Sequence, residues 1–197
     1  MFYWLTILSD GGDFFNLFRY ITFRAGGAFI TSLIFGFVFG KPLINLLRRK
    51  QGQGQPIRTD GPESHFSKAG TPTMGGAMIL GALLVSTVLW ARLDNMFVWV
   101  VLFVTVSFGI IGFADDYAKV SKQNTTGVSS KVRLGLGFII ALIASIAASQ
   151  LHPGGLSLQV AIPIMKDTLI PFGILFFPFA MLVIVGTANA VNLTDGL

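Results

Sequence analysis

NMFVWVVLFVTVSFGIIGFADDYAK, running from Asn95 to Lys119, is the stretch on which the fold turns. Its first 20 residues, ending at Ala114, carry no charge. As a helix rising 1.5 Å per residue, such a run covers the roughly 30 Å hydrocarbon core of a bilayer. A lone strand could not do so, because its backbone groups would be left unsatisfied in lipid. The run then stops in two adjacent carboxylates, Asp115 and Asp116. An aspartate at mid-bilayer costs roughly 2.5–3.5 kcal/mol on insertion scales. Neighbouring carboxylates also repel, so the pair belongs at a membrane face, beside water, cations or a divalent metal.

The remainder of the chain repeats the apolar theme. Of 197 residues, 53% are hydrophobic and 12% charged, a balance outside that of soluble domains. Five helical spans are predicted, at about 24–47, 72–91, 95–114, 134–151 and 170–191, separated by polar loops at 48–71 and 115–133. The fold class expected is therefore all-α, a polytopic transmembrane helical bundle in a single membrane domain. Pro72 suits the first turn of the second span, with Thr71 as its cap. The segment from His152 to Asp167, broken by Pro153, Gly154, Gly155 and Pro163, reads as irregular or partly strand-like. Phe2, Tyr3 and Trp4 suit a membrane interface, and the first residues lack the basic start and small-residue cleavage site of a signal peptide. Without cysteine, disulfides and thiolate metal sites are excluded.

Charge sets the expected orientation. Lys41, Arg48, Arg49, Lys50, Arg58, Lys68, Lys119, Lys122, Lys131 and Arg133 all fall on one side of the five-span arrangement, against Arg19, Arg24, Arg92 and Lys166 on the other. The positive-inside rule places the N-terminus outside and both basic loops in the cytoplasm. This distribution accounts for the net charge of +5 through topology and anionic lipid or substrate, without nucleic acid. It also gathers Asp115, Asp116, the basic loops and the end of the fifth span at one membrane face.

That last span ends in Asn189-Ala190-Val191-Asn192-Leu193-Thr194-Asp195-Gly196. Asn189, Asn192 and Asp195 are spaced three apart and share a stripe if the helix persists. Each residue alone is explained by interhelical hydrogen bonding or by exit into water. Together, Asp115, Asp116, Asn192 and Asp195 form a carboxylate-rich ledge beside Lys68, Lys119, Lys122, Lys131 and Arg133. Acids that hold a divalent cation next to bases that hold phosphate oxygens match the needs of a reaction on a diphosphate. The membrane setting makes one substrate a lipid phosphate.

Three segments carry a family resemblance: Gly70-Thr71-Pro72-Thr73-Met74-Gly75-Gly76, Gly112-Phe113-Ala114-Asp115-Asp116-Tyr117-Ala118-Lys119, and Asn189 to Leu197. In order and spacing they resemble the N-terminal half of the polyprenyl-phosphate N-acetylhexosamine-1-phosphate transferase superfamily, and within it the bacterial phospho-N-acetylmuramoyl-pentapeptide transferases. The resemblance implies a ten-helix inner-membrane enzyme of peptidoglycan synthesis, of which this chain supplies about half. Such an enzyme moves phospho-N-acetylmuramoyl-pentapeptide from UDP to undecaprenyl phosphate with Mg²⁺ and releases UMP. Position by position, the resemblance implies Asp115 and Asp116 as the catalytic pair. Asp115 would accept a proton from the lipid phosphate or orient it; Asp116 would share that role or support the metal. Lys68, Thr71, Lys119, Lys131, Asn192 and Asp195 become substrate-binding residues, and Asp195 also a metal ligand, with a further ligand expected beyond Leu197. Homodimers occur in the family, though no residue here marks a dimer face.

The match has gaps. Gln123 stands where the family often has a basic residue, and the sequence ends inside the third motif, so an N-terminal fragment, inactive alone, is the expectation. Three other readings stand beside it: a transferase using UDP-N-acetylglucosamine, a prenyl transferase and a membrane transporter subunit. A further aspartate would be wanted at Lys119 for the prenyl transferase. For a transporter, the acids should lie nearer the bilayer midplane.

Overall fold

A computed structural model describes residues 1–52, 72–123, 127–152, 157–162, 165 and 168–194, with the backbone alone for 191–194. Five α-helices dominate: α1 (Ile21–Gln51), α2 (Gly76–Trp90), α3 (Met96–Lys122), α4 (Ser130–Leu151) and α5 (Phe176–Thr194). Four helical stretches, Ile21–Gln51, Met96–Lys122, Ser130–Leu151 and Gly173–Ala190, are long and apolar enough to cross a membrane, while α2 is a shorter apolar helix of 15 residues. Phe29, Ile30, Phe37, Val38, Ile110 and Leu182 all stand exposed on these helices. Apolar surface on this scale would drive association in water and is instead what lipid solvates. The chain is an all-α, multi-pass membrane protein.

Its residues fall into two compact units. The first comprises Met1–Val98 with Phe108–Val128, and the second Trp99–Ser107 with Ser129–Leu197. In the first unit, α1 packs on α2. Gly27 permits the approach at one end, because a Cβ there would collide with the Trp90 ring. That ring is pinned in turn by its Nε1, which donates to Thr31 Oγ1 at 2.9 Å. Two 3₁₀ segments, Phe2–Leu8 and Phe14–Arg19, fold over this end, stacking Phe18 on Trp90 and setting Phe2 against it at a tilt. Tyr3 lies under the guanidinium groups of Arg24 and Arg92. Arg92 also pairs with Asp94 at 2.7 Å across the turn into α3 and holds that carboxyl below the usual carboxylate range.

In the second unit, α4 packs on α5 through a small-residue face that buries Ala141, Ala144, Ser145 and Ser149. Both serines bond back to their own helix, Ser145 to Leu142 O and Ser149 to Ile146 O, so burial leaves no hydroxyl orphaned in this face. The irregular connection before α5 contains a two-stranded antiparallel hairpin, β1 (Gln159–Ala161) with β2 (Leu169–Pro171).

Helix α1 runs on to Gln51, into the expected loop at 48–71, and α4 starts at Ser130, inside that at 115–133; three further boundaries differ from the sequence reading. The apolar run of α3 ends at Ala114, but the helix continues to Lys122, so Asp115 and Asp116 lie within a helix and not at its end. Lys119 explains the continuation, since an Asp to Lys pair four residues apart supports helix locally. Helix α2 starts at Gly76, not Pro72. Met74 adopts φ 70°, which is incompatible with a right-handed helix, and the Thr73 carbonyl is taken by a side chain from α1. Thr71, the expected cap, lies outside the described residues. Finally, Leu169–Pro171 pairs with β1 and is not the start of the fifth span; α5 begins at Phe176.

Candidate active site

Helix α3 sets the spacing from which the site is built. Lys119 follows Asp115 by four residues and Asp116 by three, so one ammonium reaches both acids from the same helix face. Its Nζ lies 2.7 Å from Asp115 Oδ2 and 4.0 Å from Asp116 Oδ1. Two carboxylates share one cation, and the trio keeps an excess negative charge.

The two acids differ in environment. Past the end of α3, Gln123 takes the left-handed conformation that reverses the chain. Val128 comes back to Asp115, and its backbone N–H donates to Oδ1 at 2.8 Å. Both oxygens of Asp115 are therefore engaged, and its side chain is only 8% exposed. Gly127 is needed for this approach, since a Cβ at that position would run into Asp115 Oδ1 and lie 2.9 Å from Lys119 Cε. Asp116, by contrast, is 32% exposed. Its Oδ2 accepts from Thr73 Oγ1 at 2.9 Å, and its Oδ1 lies beyond hydrogen-bonding distance of Lys119.

Thr73 is fixed from α1. Gln51 Oε1 accepts from Thr73 N at 2.9 Å, and Gln51 Nε2 donates to Thr73 O at 3.1 Å. The end of α1 and the segment leading into α2 thus reach Asp116 of α3 through a single polar chain, Gln51 to Thr73 to Asp116.

Of the residues expected from sequence, the structure brings Asp115, Asp116 and Lys119 together. Lys131 is exposed in the first turn of α4. Lys68, Thr71 and Asp195 lie outside the described residues, and Asn192 is described only as helical backbone in α5. Asn189 bonds its own helix, Nδ2 donating to Val185 O at 2.8 Å. Gln51 and Gly127 were not singled out from sequence. Gln51 follows three cations in a helix tail, and its partner is 22 residues away, so no local pattern marks it.

No cluster of three or more His, Cys, Asp or Glu residues suited to a metal occurs among the described residues. A magnesium site on a diphosphate does not need one, because one or two protein carboxylates with phosphate oxygens and waters complete its coordination. Asp116, partly exposed and with one oxygen outside hydrogen-bonding distance of Lys119, fits that donor set.

Comparison with known proteins adds two matches and several relatives. Residues 68–80 match the phospho-N-acetylmuramoyl-pentapeptide-transferase signature 1, which includes Thr73. Among curated proteins, the phospho-N-acetylmuramoyl-pentapeptide-transferases of Ruegeria pomeroyi (strain ATCC 700808 / DSM 15171 / DSS-3) and Ruegeria sp. (strain TM1040) are 74% and 73% identical over 197 residues. That of Dinoroseobacter shibae (strain DSM 16493 / NCIMB 14021 / DFL 12) is 68% identical over 198 residues. In each case all of this chain and 55% of the relative are covered, so the chain spans about half the length of the curated relatives it matches. Residues 98–197, which include the acidic pair and Lys119, match Glycosyl transferase family 4, and the chain belongs to that family.

Proposed function

We propose that this chain forms part of a phospho-N-acetylmuramoyl-pentapeptide transferase, which joins the sugar phosphate of UDP-N-acetylmuramoyl-pentapeptide to undecaprenyl phosphate at the cytoplasmic face of a bacterial inner membrane. The observation that carries this reading is the contact between two motif segments: Thr73 of the signature match donates to Asp116 of the acidic pair. Residues 43 apart in sequence are thereby assembled beside Lys119, within the C-terminal turns of a helix long enough to span a bilayer.

In the reaction, an oxygen of the lipid phosphate attacks the β-phosphorus of the UDP-sugar. The bond from that phosphorus to the bridging oxygen breaks, and UMP departs with the electron pair. Little covalent chemistry falls to the protein, which must position two anions and offset their charge. Lys119, with Lys68 and Lys131, supplies cationic contacts to phosphate oxygens. Asp115, which the resemblance makes the residue that orients the lipid phosphate or takes its proton, does so here through Lys119, which it keeps aligned while tying down the return of the chain at Val128. Asp116 faces the reacting phosphates, and together with Asp195 it would hold the divalent cation, taken as Mg²⁺. When bound, that ion lowers the negative charge on the diphosphate and the leaving group. A phosphate monoester, with a second pKa near 6, is mostly ionised at neutral pH and needs no strong base. Asn192 contributes to the nucleotide side, and Thr71 precedes the Thr73 contact.

Substrate choice is tested by expressing a full-length transferase carrying this sequence and following label into the lipid fraction. Transfer is expected from UDP-N-acetylmuramoyl-pentapeptide. Preferential transfer from UDP-N-acetylglucosamine would move the protein to the sister activity. Orientation has a separate check, because the described chain has no native cysteine to confuse it. A cysteine replacing Ser121, exposed near the end of α3, should react with impermeant maleimide only from the cytoplasmic side. Labelling of intact cells from outside would reverse the topology.

A further inference from the structure

Resting on the site reading above, we infer that Gln51 is a positioning residue, whose carboxamide fixes Thr73 and, through the Thr73 hydroxyl, sets the direction of the Asp116 carboxylate. Gln51 is the last residue of α1, directly after Arg48, Arg49 and Lys50, yet it is 8% exposed while its neighbours face outward. A glutamine at a polar helix end would ordinarily project into water. Here both ends of its amide are used on one residue, with Oε1 taking the Thr73 N–H and Nε2 giving to the Thr73 carbonyl. Only this orientation of the amide satisfies both groups, because the acceptor must face the N–H and the donor the carbonyl.

The clamp has a backbone consequence. With the Thr73 carbonyl occupied, the helical ladder starts one residue later, Ala77 N donating to Met74 O at 3.1 Å. Met74 is held at φ 70° and buried. A left-handed conformation is unfavourable for a non-glycine residue, and such strain persists where surrounding contacts determine it. The turn is therefore imposed from Gln51 on one side and from α2 on the other. Its outcome is that Thr73 Oγ1 points at Asp116 Oδ2. The chain of bonds starts in a buried amide and ends on a partly exposed carboxylate, the arrangement expected of support for a reacting group and not of a closed internal network.

The test uses the full-length transferase with Gln51→Met, Thr73→Val, the double variant and Thr73→Ser. Gln51→Met keeps length without hydrogen bonds; Thr73→Val keeps shape without the hydroxyl and leaves the backbone clamp in place. Each single variant should lower kcat for UMP release about 10-fold with KM for the nucleotide sugar within about 2-fold, the signature of a group acting beyond ground-state binding. Because both act through one hydroxyl, the double variant should be within about 2-fold of the weaker single. Thr73→Ser should recover most of the loss. Independently of activity, hydrogen exchange at the Thr73 amide should accelerate at least about 10-fold in Gln51→Met and stay slow in Thr73→Val. Multiplicative losses in the double variant, wild-type kcat in Thr73→Val, or unchanged exchange in Gln51→Met would each overturn the assignment. Should Gln51→Met not fold, Gln51→Glu, which keeps an acceptor for the Thr73 N–H and loses the donor to its carbonyl, takes its place in both readouts, and wild-type kcat there would overturn the assignment. Undiminished activity in Asp116→Asn would instead bring down the underlying site reading, so the two failures are distinguishable.

Discussion

Asp116→Asn is expected to lower UMP release by the full-length transferase about 10²–10³-fold while leaving its unfolding midpoint in detergent nearly unchanged. The amide oxygen of asparagine can still accept from Thr73 Oγ1, so the polar chain from Gln51 survives. What disappears is the negative charge on a partly exposed group beside Lys119, where the proposed reaction places phosphate. Asp115→Asn should behave differently. Asparagine could accept from Val128 N, but its NH₂ would then face Lys119 Nζ, donor against donor. Loss of a charge-assisted bond of this kind costs roughly 1.5–3 kcal/mol, so both activity and midpoint should fall. Equal behaviour of the two variants in both assays would contradict the separate roles given to the paired acids.

Gly127→Ala is the second large effect, and it arises from a methyl group. Gly127 lies at negative or extended φ, so its requirement is for space and not for an unusual conformation. An added Cβ would clash with Asp115 Oδ1 and press on Lys119 Cε. The Val128 N–H to Asp115 bond could not persist beside it. Overpacking of this kind costs about 1–3 kcal/mol. Displacing a cationic contact by about 1 Å can cost on the order of 10²-fold in rate. The expected result is therefore a lower unfolding midpoint together with UMP release reduced about 10–100-fold. Wild-type values in both measurements would show that the close approach of Gly127 to Asp115 is not required.

These two cases show what the sequence could reveal. Length and apolar content identify α3 without ambiguity, because lipid leaves no other way to satisfy 20 uncharged residues of backbone. The adjacency of Asp115 and Asp116, and the lysine four residues on, are equally local and were legible. Hydropathy reports where charge begins, however, and not where hydrogen bonding stops, so the continuation of α3 to Lys122 was missed. Pro72 looked like a helix start because proline fits a first turn; the competing bond from Gln51 to the Thr73 carbonyl, 22 residues distant, delays α2 to Gly76. The asymmetry between Asp115 and Asp116 was likewise invisible. It depends on Val128 and Thr73, which approach from opposite directions in sequence. In the last two misses a long-range polar contact overrode a local preference; the first was a local pair, Asp115 with Lys119, that hydropathy does not register.

The central claim is that Asp115, Asp116 and Lys119 belong to a site that transfers a sugar phosphate to a lipid phosphate. Its most direct test is the rate of UMP release from UDP-N-acetylmuramoyl-pentapeptide by membranes containing the full-length protein, measured with undecaprenyl phosphate present and omitted, with Mg²⁺ present and chelated. Release is expected only when both are present, with its near-complete loss in Asp116→Asn under the complete conditions. Release at the same rate without the lipid phosphate, or undiminished in Asp116→Asn, would contradict it.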